Sequence, residues 1–162
     1  MKTKSKIRFL AQSAVIAAIY VVLTLLANLF GLANNAIQVR FSEALTVLPC
    51  IMPAAVPGVT IGCLISNLLT GAVPLDILFG TLATLIGAVF TRMLRKYKAL
   101  APLPPIISNT LIIPFILAYI YEFPGAIWYF MLTVGAGEVI SCGVLGYLLL
   151  GALKRMPKNL FD

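Results

Sequence analysis

Carboxylates are the chemically telling residues of this chain. Only five acids occur in 162 residues, Glu43, Asp76, Glu122, Glu138 and Asp162, and no histidine accompanies them. Glu138 lies within Thr133-Val-Gly-Ala-Gly-Glu-Val-Ile-Ser141, with no Lys or Arg near it in sequence. A carboxylate in hydrocarbon costs about 2.5–3.5 kcal/mol on insertion scales, so such a residue faces a bundle interior or a wet cavity and marks a ligand site. The competing reading is a buried acid satisfied by helix hydroxyls or by Arg40. Glu43 is three residues from Arg40, which leaves it open between an i,i+3 ion pair and ligand contact. Asp76 follows Pro74 at the start of an apolar run. There a carboxylate meets orphan N–H groups and the positive end of the helix dipole, so capping is its expected role beside ligand contact. Glu122 is expected at a solvated rim.

Two amides extend the list. Asn67 and Asn109 occur in matching fragments, Ile65-Ser-Asn-Leu and Ile107-Ser-Asn-Thr. An amide carries donors and acceptors that suit the edge of a heterocycle, although interhelical hydrogen bonding is the commoner use in membranes. Trp128, Gly135 and Glu138 share one helical stripe, but Trp128 lies about 15 Å further along the axis. It is a candidate aromatic face for a ligand, with interfacial anchoring the stronger expectation, and Tyr119 and Tyr121 share that ambiguity. Several chemistries are excluded. Without histidine there is no His-based metal site and no Ser-His triad. Cys50, Cys63 and Cys142 all lie in apolar runs, where they read as small packing residues without disulfide or zinc spacing. No Gly-x-x-x-x-Gly-Lys-Ser/Thr string is present, so any ATP use belongs to partners. No metal, no cofactor and no catalytic residue is expected in the chain.

The elements that hold these residues are set by composition. The chain is 61% hydrophobic and 10% charged, with a mean hydropathy of +1.05; a water-soluble domain of this size cannot hide that much apolar surface. An integral membrane protein is expected, all-α, forming one bundle over residues 1–162. The net charge of +7 resides in clusters at the ends of apolar runs, the pattern of anchoring to an anionic leaflet rather than of nucleic-acid binding. A first run follows Lys2, Lys4, Lys6 and Arg8 and reaches about Phe30; it is too long for a signal-peptide core and no Ala-x-Ala site follows. A polar stretch holds Asn34, Asn35, Gln38 and Arg40. Phe41 to Thr70 is interrupted by Pro49, Pro53 and Pro57-Gly58. Further runs cover about Leu75 to Leu94, Ile106 to Tyr121 and Ala126 to Leu153, the first and last ending in basic clusters.

Charge decides how often 41–70 crosses. With a cytoplasmic N-terminus, two short spans joined at Pro57-Gly58 place Arg92–Lys98 and Lys154–Lys158 inside, satisfying the positive-inside rule. One span would put both clusters outside. Six transmembrane helices with both termini cytoplasmic are therefore expected, spans two and three being short. That topology opens Glu43, Asp76, Glu122 and Glu138 toward the outside, puts the loop carrying Arg40 there, and leaves Asp162 as the cytoplasmic acid. Small residues form three strips: Ala11, Ala14 and Ala18; Gly58, Gly62 and Ser66; Gly80, Thr84 and Gly87. Most such strips serve internal packing, and the first is the best candidate for docking a partner.

Gln38-Val-Arg-Phe-Ser-Glu-Ala-Leu-Thr-Val-Leu-Pro49 resembles the opening signature of the QueT family. Gly58-x-x-x-Gly62-Cys-Leu-Ile-Ser-Asn67, Asp76-Ile-Leu-Phe-Gly-Thr-Leu-Ala-Thr84, Ile107-Ser-Asn109 and Gly137-Glu138 agree in order along nearly the whole chain. The resemblance implies a substrate-capture (S) component of an energy-coupling-factor transporter in a bacterial cell membrane. It would take up a queuosine precursor, a 7-deazaguanine such as preQ1, with a transmembrane coupling subunit and two cytoplasmic ATPases as partners. The alanine strip would meet the coupling subunit. Glu138 and Glu43 would be the ligand carboxylates, Asn67 and Asn109 would read the base edge, and Arg40 would order the first loop over the ligand. An S component for another vitamin or base, and a packing or scaffold protein, are the alternatives.

Overall fold

A computed structural model describes residues 2–32 and 38–155; Asn34, Asn35, Lys158 and Asp162 lie outside them. The fold is all-helical, with no strand among the described residues. Helix α1 is Lys2–Leu29, α2 Ala55–Leu69, α3 Pro74–Met93 and α4 Leu103–Tyr119. The last helix is continuous but changes winding, from α5 (Ile127–Glu138) through a π-helical stretch (Val139–Leu145) to α6 (Gly146–Leu153). A 3-10 helix, Phe41–Cys50, stands between α1 and α2. Four stretches are long and apolar enough to cross a membrane: Ser5–Leu29, Pro74–Met93, Lys98–Tyr119 and Ile127–Leu153. Their lipid-facing surface explains the many exposed large apolar side chains.

The region 41–70 behaves differently. Its 3-10 helix of 10 residues is about 20 Å long, and the 15 residues of α2 reach about 22 Å, both short of a hydrocarbon core of about 30 Å. Residues Ser42 to Cys50 are all buried, so this element is sheathed by the other helices. Such a setting is where less regular backbone is tolerated at membrane depth. It starts beside the last two turns of α1, where Thr24 Oγ1 donates to Ser42 Oγ at 2.8 Å. It ends where Arg92 Nη1 donates to the Pro49 carbonyl at 3.2 Å and Cys50 packs with Ala101 and Leu150. That is the end of the bundle carrying the basic clusters. Helix α2 then climbs back along α1: Ser13 Oγ donates to the Ala54 carbonyl at 2.9 Å, Gly58 meets Ile16 and Gly62 meets Tyr20.

The reversal therefore lies at 51–54, around Pro53, and not at Pro57-Gly58. Pro57 sits in the first turn of α2, where its missing N–H is one of the orphans anyway. Gly58 is kept for proximity instead. Two of the three small strips are consumed by packing. A Cβ on Gly62 would lie 2.6 Å from Tyr20 Cβ, and one on Gly87 2.8 Å from Pro105 Cα. Ala11, Ala14 and Ala18 are exposed on the face of α1 turned away from α2.

Candidate functional site

The site begins with a close approach of two backbones. Residues 38–40 run extended into the bundle and pass so near α5 that a Cβ on Gly137 would overlap the Gln38 carbonyl oxygen. One turn on, the Arg40 N–H donates to Ser141 Oγ at 3.1 Å. Arg40 is thus not an outer-loop residue as expected: its backbone lies level with the turn beyond Glu138. The π-helical winding that starts at Val139 puts an extra residue into this stretch, a distortion that recurs at functional sites.

At that floor, the polar side chains of α1, the 3-10 helix, α4 and the last helix come together. Glu43, at the start of the 3-10 helix, is 2% exposed and accepts a hydrogen bond from the Tyr20 hydroxyl of α1 through Oε1. Its Oε2 is buried without a partner. Glu138 is 9% exposed; Asn109 Nδ2 donates to its Oε1 at 2.9 Å and Cys142 Sγ to its Oε2 at 3.1 Å. A carboxylate oxygen of each glutamate and the Cys142 sulfur all lie within 4.8 Å of one another. Glu43, Glu138, Asn109, Arg40, Gln38 and Thr84 are among the residues around a small cavity of about 20 Å³. The sequence placed Glu43 near the outer end of a span and left it open to pairing with Arg40; the structure seats it at mid-bundle with Tyr20 as its hydrogen-bond donor. The cluster thus brings together an acid pair and a thiol that donates to one of them.

Above the floor lies a cavity of about 590 Å³, within the range that holds a small-molecule ligand. It sits at the end of the bundle opposite the basic clusters. Gln38, Arg40 and Ile113 line it as well as the small cavity, so the two adjoin. Asn67, Asp76, Tyr121, Tyr129 and Phe130 form much of its wall. Asp76 sits in the first turn of α3, but its Oδ2 accepts from the Tyr121 hydroxyl at 2.8 Å, tying α3 to the end of α4. Asn67 lines the upper cavity, whereas Asn109 faces the lower one and holds Glu138.

Two expected residues fall outside both cavities. Trp128 is 66% exposed, edge-on to Tyr129, and Tyr119 is 70% exposed, stacked on Phe115. The reason is phase: Tyr121, two residues past Tyr119 and beyond the end of α4, turns inward, and the chain after it doubles back through Glu122, exposed at positive φ. Tyr20, Gln38 and Ser141 were not anticipated, and of the two tyrosines left open between ligand and lipid it is Tyr121 that lines the cavity. Tyr20 had a visible signal, since Ser13, Tyr20 and Thr24 make a polar stripe at helical spacing on α1 and a hydroxyl in hydrocarbon needs a partner.

Comparison with known proteins agrees with a transport role. The family model described as QueT transporter matches residues 10–155. The Queuosine precursor transporter QueT of Lactococcus lactis subsp. cremoris (strain MG1363) is 37% identical over 83 residues, which cover 51% of this chain. The chain spans about half, 48%, of that relative's length. No solved structure matches.

Proposed function

The chain belongs to the QueT transporter family, and from that premise we propose that it captures a 7-deazaguanine queuosine precursor outside the cell as the S component of an energy-coupling-factor transporter. The observation that carries this reading is the cavity of about 590 Å³, adjoined by a small cavity that two buried glutamates line. A 7-deazaguanine presents N1–H and an exocyclic amine as adjacent donors, and its aminomethyl substituent carries a positive charge. Asp76 and Asn67 on the upper wall accept from the base edge, while Tyr129 and Phe130 supply aromatic surface. Glu43 and Glu138 receive the ammonium, a charge-assisted contact. Asn109 acts through Glu138 by holding its Oε1, and Arg40 separates base from acids. The residues 38–40 that carry Arg40 close the floor from within rather than cover the ligand from outside.

In this reading the chain crosses a bacterial cell membrane six times, with termini and basic clusters inside. The descending 3-10 helix and the ascending α2 are the second and third crossings. Reorientation is driven by partner subunits, a transmembrane coupling subunit and two ATPases, and the exposed Ala11, Ala14 and Ala18 are the docking strip. A bulky side chain there is expected to spare the ligand site: Ala14→Trp retains binding in purified protein but loses uptake in cells. Co-purification with the coupling subunit at wild-type yield would remove the strip from the interface.

The first test is calorimetric titration of the purified chain with the aminomethyl deazaguanine, with guanine and with riboflavin. Tight binding of the first alone is expected. Preference for riboflavin would move the ligand class, and no binding to any of the three in folded protein would favour a packing role.

A further inference from the structure

The lower cluster holds more negative charge than its surroundings neutralise. Glu43 and Glu138 bring carboxylate oxygens within 4.8 Å of each other, and both are at least nine-tenths buried. The charged and titratable groups that face them are Tyr20 from α1, Arg40 from the entering chain, Cys63 from α2 and Cys142 from the π-helical stretch. From α3 and α4 the facing polar side chains are Thr84 and Asn109. Arg40 supplies one positive charge against two carboxylates. An uncompensated charge in such a place costs several kcal/mol. The geometry also leaves one gap: Glu43 Oε2 has no donor, while both oxygens of Glu138 have one each.

We propose that Glu43 and Glu138 share one proton while the site is empty, and that the ammonium of the ligand takes that proton's place. The space supports the exchange. A cavity of about 20 Å³ admits a group the size of one water molecule, which is the size of an ammonium, while the base remains in the larger cavity above. Charge balances at each stage. In the empty site one proton, two carboxylates and Arg40 sum to zero. In the bound site the ligand cation, two carboxylates and Arg40 also sum to zero, and the displaced proton leaves through the upper cavity to the outer solution. Capture thus never buries net charge. The identity of the amine rests on the function proposed above; the shared proton does not.

Linkage fixes the sign. Binding that releases one proton strengthens as pH rises, about tenfold per unit, over the range in which the pair holds its proton and the ligand keeps its charge. The test is calorimetry of the wild-type chain at one pH in two buffers of different ionisation enthalpy, using the aminomethyl deazaguanine and the same base carrying a methyl group instead. About one proton released per aminomethyl ligand, and none per methyl ligand, is expected. No release with the amine, equal release with both bases, or affinity lost on adding a chelator would overturn the exchange. If neither base binds, the ligand assignment fails, and infrared spectroscopy of ligand-free protein decides the rest. A carboxylic-acid carbonyl band altered in both Glu43→Gln and Glu138→Gln upholds the shared proton; a wild-type spectrum without such a band overturns it.

Discussion

The two halves of the site handle polar groups in opposite ways. The upper cavity is wide, its acid Asp76 is only half-buried, and the Tyr121 hydroxyl steadies that acid from a neighbouring helix end. The lower cluster is closed, its acids are buried, and every element around it contributes a donor or an acceptor. Solvent weakens electrostatics above, whereas below a charge interacts at short range in a low dielectric. The upper half is therefore suited to reading shape and hydrogen-bond pattern, and the lower half to testing charge. Between them stands the extended segment 38–40, which has a place only because Gly137 carries no side chain.

Breaking that partition gives the largest expected effect. Gly137→Val displaces residues 38–40 and with them Gln38 and Arg40, which line both cavities. Overpacking costs about 1–3 kcal/mol, occasionally more, and here the obstacle is backbone. Ligand affinity is expected to fall about a hundredfold with a lower unfolding temperature in detergent. Gly135→Ala is the matched control, since its Cβ would sit 3.4 Å from Thr110 Oγ1, in ordinary contact. Equal losses in both variants would mean that the close approach is not special.

Removing the lower charge comes next. Hydrogen bonds to charged groups contribute about 1.5–3 kcal/mol, so Glu138→Gln is expected to weaken binding about ten- to hundredfold. Because the pair is buried, this loss changes little with added salt. Asp76→Asn, on the open wall, is expected to cost about two- to tenfold, and its effect shrinks at high ionic strength. Reversed salt behaviour in the two variants would undo the contrast between the halves.

How much of this was legible beforehand differs between the halves. Glu138 stood out because a lone acid in an apolar run is costly wherever it lies, and Asn109 and Asn67 stood out as amides in hydrocarbon. The all-helical class and four long membrane-capable helices follow from hydropathy, a property of single segments. The pairing of Glu43 with Glu138 does not. It depends on a chain that dips to mid-bundle, which in turn depends on one glycine, a 3-10 winding and a π-helical turn. None of these leaves a periodic signal. Trp128 and Tyr119 stayed open between lipid and ligand for a related reason: an aromatic residue near a helix end is compatible with either until the helix phase is known.

The smallest expected effect belongs to Tyr121. Its hydroxyl donates to Asp76 Oδ2 at 2.8 Å, and both residues line the upper cavity. A partly exposed hydrogen bond contributes about 0.5–1 kcal/mol, so Tyr121→Phe is expected to weaken binding about two- to fivefold. If the hydroxyl acts by orienting the carboxylate, its removal matters only while that carboxylate is present. Adding Tyr121→Phe to Asp76→Asn then costs nothing further, and the double variant binds like Asp76→Asn alone. If the hydroxyl contacts the base itself, the two losses multiply, because independent contacts add in free energy. A multiplicative result would move base reading from the α3 carboxylate to the end of α4, and would leave Asp76 with the dipole-stabilising role its place after Pro74 first suggested.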